Sequence, residues 1–122
     1  MAKILIADDD QGILDSTKLL LEYEGYEVIT ASDGETVKEL KDNLPDLILL
    51  DIWLSGTNGT EIAHSLLANK ATKHIPIIIF SANHDIEQIA KNANVSDFLI
   101  KPFDIGDMVA KIQKHLPKNH TQ

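Results

Sequence analysis

The chain has no cysteine, which excludes a disulfide framework, a thiolate metal site and a thiol nucleophile. Aromatic residues are scarce at 5%, with a single tryptophan. Six glycines and four prolines are too few for a Pro- or Gly-rich linker, and no repeat or low-complexity segment interrupts the chain. No apolar run approaches the roughly 20 residues needed to cross a bilayer. The opening MAKILIADDD lacks the apolar stretch and small-residue cleavage site of a secretory signal, so a cytoplasmic, non-membrane protein is expected. Positive charge is also short: 11 Lys and Arg stand against 19 Asp and Glu, a formal net charge of −8. That balance excludes a sequence-independent grip on nucleic acid and favours basic partners or cations. The five histidines, His64, His74, His84, His115 and His120, lack metal-ligand spacing and read as surface residues.

What is present is ordinary globular composition, 43% hydrophobic over 122 residues, enough for one domain with a core. Short β-rich runs, KILIA (3–7), YEVIT (26–30), DLILL (46–50), IPIIIF (75–80) and DFLI (97–100), read as strands. Several are almost continuously apolar, as strands covered on both faces are. Helical periods lie between them. Ile13, Leu14, Thr17, Leu20 and Leu21 share a face of a first helix that Gly25 ends. Ser32 with Glu35 fits a capping box opening a second helix through Val37 and Leu40. Ile62, Ala63, Leu66 and Leu67 mark a third, and Ile86, Ile89 and Ala90 a fourth. Met108, Val109, Ile112 and Leu116 mark a fifth, stopped before Pro117. This alternation predicts an α/β fold, a doubly wound parallel sheet with helices on both faces.

In such sheets ligands bind beyond the carboxyl ends of the strands. The stretch LLDIWLSGTNG, Leu49 to Gly59, carries one acid, Asp51, out of an apolar strand into a loop. Asp8, Asp9 and Asp10 follow the first strand, Ser81 the fourth, and Lys101 with Pro102 the fifth. Singly these read as helix caps or surface charges. Jointly they do not, because two carboxylates about 4 Å apart repel by about 4 kcal/mol at an effective dielectric near 20. One lysine does not balance three acids, whereas Mg²⁺, which takes carboxylate oxygens and bridges to phosphate, would. A metal, a lysine and a hydroxyl are the parts of phosphoryl transfer, with Asp51, already ionised, as nucleophile.

At these residues the sequence resembles the receiver domain of bacterial response regulators. The resemblance runs from KILIADDD through PDLILLD and the hydroxyl residue after strand four to DFLIKPF. It implies a five-stranded sheet of flavodoxin-like order 2-1-3-4-5 over residues 1–118, followed by a frayed tail, 119–122. It implies that Asp51 accepts phosphate from a sensor histidine kinase or histidine phosphotransfer protein, as a signalling domain rather than an enzyme. Asp9 directly, Asp8 through water, Asp51 and the carbonyl of Trp53 would hold Mg²⁺. Asp10 would open the first helix. Lys101 and Ser81 would bind phosphate oxygens, Phe98 would be the aromatic switch, and Lys101–Pro102 would be cis. A downstream protein would read the surface of the fourth helix, fifth strand and fifth helix, roughly Ile86 to Leu116, and a phosphorylation-dependent homodimer is left open.

The sequence departs from the family at three places. Ser55 stands where proline is usual, removing a fixed φ. Asn94 replaces a common glycine, a mild change because Asn tolerates the left-handed region. Phe98 lacks the hydroxyl of the frequent tyrosine. Asn58-Gly59 alone suggests a hairpin turn, but the helical pattern after it favours a loop entering a helix. Trp53, two residues past the acceptor, reads as a partly exposed packing residue, a shield against water or an anchor for a partner. Two other readings fit the residues less well. A haloacid-dehalogenase-type phosphatase would use Asp8 as nucleophile and Asp10 as acid, but a later acidic pair and a cap are missing. A degenerate receiver conflicts with the complete set of acids, hydroxyl and lysine.

Overall fold

In the computed structural model, which describes residues 1–54 and 56–116, five parallel strands form one sheet. They are β1 (Lys3–Ala7), β2 (Glu27–Ala31), β3 (Leu47–Asp51), β4 (Ile77–Ser81) and β5 (Asp97–Ile100). Their order is β2-β1-β3-β4-β5, as the resemblance implied. Five helices alternate with them: α1 (Gln11–Tyr23), α2 (Gly34–Lys38), α3 (Gly59–Ala68), α4 (Ile86–Ala93) and α5 (Ile105–His115). Ser55, the Pro117 stop and the tail 119–122 lie outside the described residues, as does His120.

Every residue of β3 and β4 is buried, so the continuous apolar runs mark the strands at the middle of the sheet. Side chains alternate across it. Leu5, Ile48, Leu50, Ile77 and Ile79 face Val37, Ile62, Leu66 and Ile86 of α2, α3 and α4. Ile4, Ile6, Leu49, Ile78 and Phe80 face Leu14, Leu21, Met108 and Ile112 of α1 and α5. Two cores thus clamp β1, β3 and β4, and the carboxyl ends of those strands emerge at one rim.

Local sequence rules explain most boundaries. Asp10 caps α1, accepting from the Ile13 amide, as expected. Gly25, at φ +100°, follows the last turn, where its amide bonds Glu22 and that of Tyr26 reaches back to Leu21, a Schellman close. Asn94 takes the left-handed conformation, φ 60°, and Lys101–Pro102 is cis. Three expectations need correction. α2 ends at Lys38 with Glu39 as its C-cap, so Leu40 lies beyond the helix and not within it. The capping box at Ser32 does not form, because Asp33 caps α2 through the Thr36 amide. A Cβ at Gly34 would lie 2.8 Å from Ile62 Cδ1, so the first turn of α2 packs closely on α3. Leu20 is not on the core face but 46% exposed. The stripe α1 buries is narrow, Leu14, Thr17 and Leu21.

The segment after β3 also differs from a simple loop. Trp53–Leu54 and Thr57–Asn58 pair as a short antiparallel ladder, and Asn58 then caps α3 by accepting from the Thr60 amide. Gly59 packs directly under the acid: a Cβ there would lie 2.7 Å from the Asp51 carbonyl oxygen and 2.8 Å from Ile52 Cα. Both are backbone atoms of the strand end, with no flexible side chain to yield. Gly59→Ala is therefore expected to lower stability by about 1–3 kcal/mol, measured as a shift of the urea midpoint at unchanged slope.

Candidate functional site

Four strands deliver the site, β1, β3, β4 and β5. β1 ends at Ala7, and the Asp8 amide still bonds the Ala31 carbonyl, so Asp8 leaves the sheet in a fixed direction. Asp51 is the last residue of β3, in register with Phe80 of β4. Ser81 ends β4 and accepts through its carbonyl from the Lys101 amide at 2.8 Å, which ties the lysine backbone to that strand.

The side chains converge. Oxygens of Asp8, Asp9 and Asp51 all lie within 4.8 Å of one another. Asp8 and Asp51 are buried, 1% and 8% exposed, while Asp9 is open to solvent. The Lys101 ammonium sits 3.4 Å from Asp8 Oδ2 and 3.6 Å from Asp51 Oδ2, above the Phe80 ring at 5.0 Å from its centroid. Asp8 Oδ1 accepts the Asp10 amide at 2.9 Å, and Asp51 Oδ1 accepts the Trp53 amide at 3.3 Å. Three carboxylates around one ammonium leave an excess of negative charge, and all the donors are hard oxygens. This set suits a small divalent cation of the Mg²⁺ kind.

Ser81 is buried at the same rim, but its hydroxyl accepts the Asn83 amide at 3.0 Å. It caps no helix: α4 begins after Asp85 with no side-chain cap. Trp53 is 57% exposed, and its side chain lines a cavity of about 370 Å³ with Asn58, His64, Asn83 and Ile89. Phe98, on edge strand β5, is half-buried, with the Lys111 ammonium 4.7 Å from its ring centroid.

Sequence reasoning missed three participants. Phe80 reads as a plain core residue, yet its ring lies beneath Lys101. Gly59 is legible only as a turn-former, although the close approach to Asp51 requires it. His115 reads as a surface residue in the sequence, yet its Nε2 lies 2.8 Å from Asp97 Oδ2; the i, i+4 spacing of Lys111 and His115 on α5 is the available signal. His64, His74 and His84 are exposed as expected.

Electrostatics follow from this packing. Burial, and then the Asp8 carboxylate, push the Asp51 carboxyl up to about 6, against the pull of Lys101 and the Trp53 amide. A carboxyl raised from 3.8 binds its proton more tightly in the folded chain, so its contribution to stability falls as pH rises through that window. The charged form is thus a folding cost, complete above about 6 and absent below about 3.8. Asp51→Asn is expected to stabilise the metal-free chain at pH 7.5, by on the order of 2 kcal/mol. Urea unfolding at pH 7.5 and pH 3.5 checks this, with the gain vanishing at the lower pH.

Among the described residues, no helix is long and apolar enough to cross a membrane. The response regulator receiver domain family matches residues 4–113. The transcriptional regulatory protein CpxR of Escherichia coli (strain K12) is 36% identical over 122 residues, 98% of this chain and 51% of that protein. Response regulator ArlR of Staphylococcus saprophyticus is 38% identical over 119 residues, 95% of this chain and 53% of that protein. The chain thus spans about half the length of these curated relatives. The crystal structure of TrrA from Thermotoga maritima in complex with Mg(2+)-BeF superposes with a TM-score of 0.81 at 32% identity, covering 93% of this chain and 98% of that one. With a parallel sheet in this order and an acidic rim closed by a lysine, the chain belongs to the response regulator receiver domain family.

Proposed function

We propose that the chain takes a phosphoryl group on Asp51 from a phosphohistidine of a sensor histidine kinase or phosphotransfer protein and converts it into a change of surface. The observation that carries this reading is the position of the Lys101 ammonium, 3.4 and 3.6 Å from two buried acids of different strands. A structural ion pair needs only one of them.

Asp51 is mostly ionised at neutral pH, so it attacks phosphorus without a general base. Its oxygen forms the new bond to phosphorus while the bond to the donor imidazole nitrogen breaks, and that nitrogen keeps the electron pair. Lys101 lies where it neutralises a phosphoryl oxygen as negative charge accumulates. The Trp53 amide holds Asp51 Oδ1, which leaves Oδ2, on the lysine side, as the attacking atom. Asp8, Asp9, Asp51 and the Trp53 carbonyl are the proposed holders of Mg²⁺, which when bound supplies charge neutralisation for the incoming phosphate. The Mg(2+)-BeF complex of TrrA supports that choice of ion.

The signal is a population shift. The Ser81 hydroxyl leaves the Asn83 amide for a phosphoryl oxygen, and Phe98 turns inward toward the vacated space. A downstream protein reads the altered face of α4, β5 and α5, and pairing of two copies through that face belongs to the same reading. The exposed side chain of Trp53, two residues past the acceptor, is proposed to hinder water on its way to the acyl phosphate. The domain is proposed to span residues 1–118 and to act in the cytoplasm.

Labelling with acetyl phosphate and Mg²⁺ is expected on Asp51 of the wild type and absent from Asp51→Ala. Label mapped to Asp8, or retained in Asp51→Ala, would refute the assignment. Trp53→Asn is expected to shorten the phosphorylated lifetime about two- to tenfold, the span of roughly 0.4–1.4 kcal/mol in the hydrolytic barrier. Equal lifetimes in a dephosphorylation time course would end the shielding role.

A further inference from the structure

The cluster around Phe98 has no part in phosphate chemistry as described above. The Lys111 ammonium on α5 makes three contacts with two consecutive residues of β5. It donates to Asp97 Oδ1 at 2.8 Å and to the Phe98 carbonyl at 2.7 Å, and it lies 4.7 Å from the centre of the Phe98 ring. Asp97 Oδ1 also accepts the Phe98 amide at 2.8 Å. Both main-chain polar groups of this edge-strand residue are therefore held by side chains, and the ring lies under the same cation. His115 Nε2 and the Lys114 ammonium, 2.8 and 4.0 Å from Asp97 Oδ2, complete the cluster.

The charges fix the lysine in place. Burial pushes the Asp97 carboxyl up, but hydrogen bonds from Lys111, His115 and the Phe98 amide outweigh it and hold the group down at about 2. The carboxylate is ionised throughout the neutral range and anchors the ammonium, so the cation does not follow the ring if the ring turns. Rotation of Phe98 away from its present place loses the cation–π contact while Lys111 keeps its bonds to Asp97 and the Phe98 carbonyl.

We propose that Lys111 is a positioning residue that pins the Phe98 ring in the resting arrangement, so that α5 sets how readily the switch operates. The resting assignment rests on Ser81, whose hydroxyl is engaged by Asn83 and has not turned to Asp51. The inference also rests on the phosphoacceptor reading, in which Phe98 moves with Ser81. A contact present only in the resting state lowers affinity for any ligand that demands the switched state, by the factor it contributes to that equilibrium. A cation–π contact at a partly exposed site corresponds to a factor of about two to five.

Beryllofluoride with Mg²⁺ serves as the probe, followed by fluorescence of Trp53, the single tryptophan. Lys111→Met keeps the aliphatic stem and removes the charge, and Lys111→Arg restores a cation. Lys111→Met is expected to bind beryllofluoride about two- to fivefold more tightly with its affinity for Mg²⁺ alone unchanged, and Lys111→Arg to return to the wild-type value. In a Phe98→Leu background the effect of Lys111→Met is expected to vanish, because there is no ring left to pin. A role in stability alone would move the urea midpoint and leave the beryllofluoride affinity as it was. Unchanged or weaker binding by Lys111→Met, beside a wild type that responds, overturns this proposal alone. A wild type that ignores beryllofluoride overturns the phosphoacceptor reading, and the pin with it.

Discussion

The mutual repulsion of carboxylates at the strand ends is the constraint on which the rest of this structure depends. Asp8 and Asp51 are both buried, and neither can retreat into water, because each is fixed by the strand that carries it. One ammonium group from a third strand stands between them. Its charge compensates part of the repulsion, and the raised proton affinity of Asp51 measures what is left. A residual negative potential held rigidly at a solvent-facing rim suits a divalent cation.

Rigidity comes from the two cores. Ile48 and Leu50 pack one way and Leu47 and Leu49 the other, so Asp51 ends a strand gripped from both faces. Gly59 lets the following segment fold back under the Asp51 carbonyl, and the Trp53 amide orients one carboxylate oxygen. Lys101 is held just as firmly, its backbone on Ser81 and its ammonium over Phe80. A flexible lysine would lose side-chain entropy each time it met phosphate. One already held by a ring and two acids has lost it on folding.

The edge of the sheet is built differently. β5 has a neighbour on one side only, and its residues are less buried than those of β3 or β4. Phe98 is thus better placed to change orientation than any aromatic of the central core, where close packing resists movement. The charged cluster of Asp97, Lys111 and His115 covers this edge and links it to α5. The proposed signal travels through the least tightly packed strand, while the chemistry is placed at the most tightly packed ones.

Much of this was legible in the residues alone. Continuous apolar runs gave the central strands because burial on both faces leaves no polar alternative, and helical periodicity gave the helices for the same reason. The acids, the hydroxyl and the lysine declared themselves by standing at strand ends. Local rules failed where a neighbour distant in sequence decided the outcome. Leu20 was left exposed because α1 buries only a narrow stripe against the sheet and α5. The ring beneath Lys101 and the contacts among Asp97, Phe98, Lys111 and His115 join residues 13 to 21 positions apart. Composition and spacing determined which groups reach the rim, since strand direction and side-chain period are short-range properties of the chain. Which groups touch, and which cation answers which acid, only the tertiary structure decided, because electrostatic and packing energies depend on distances that folding alone sets.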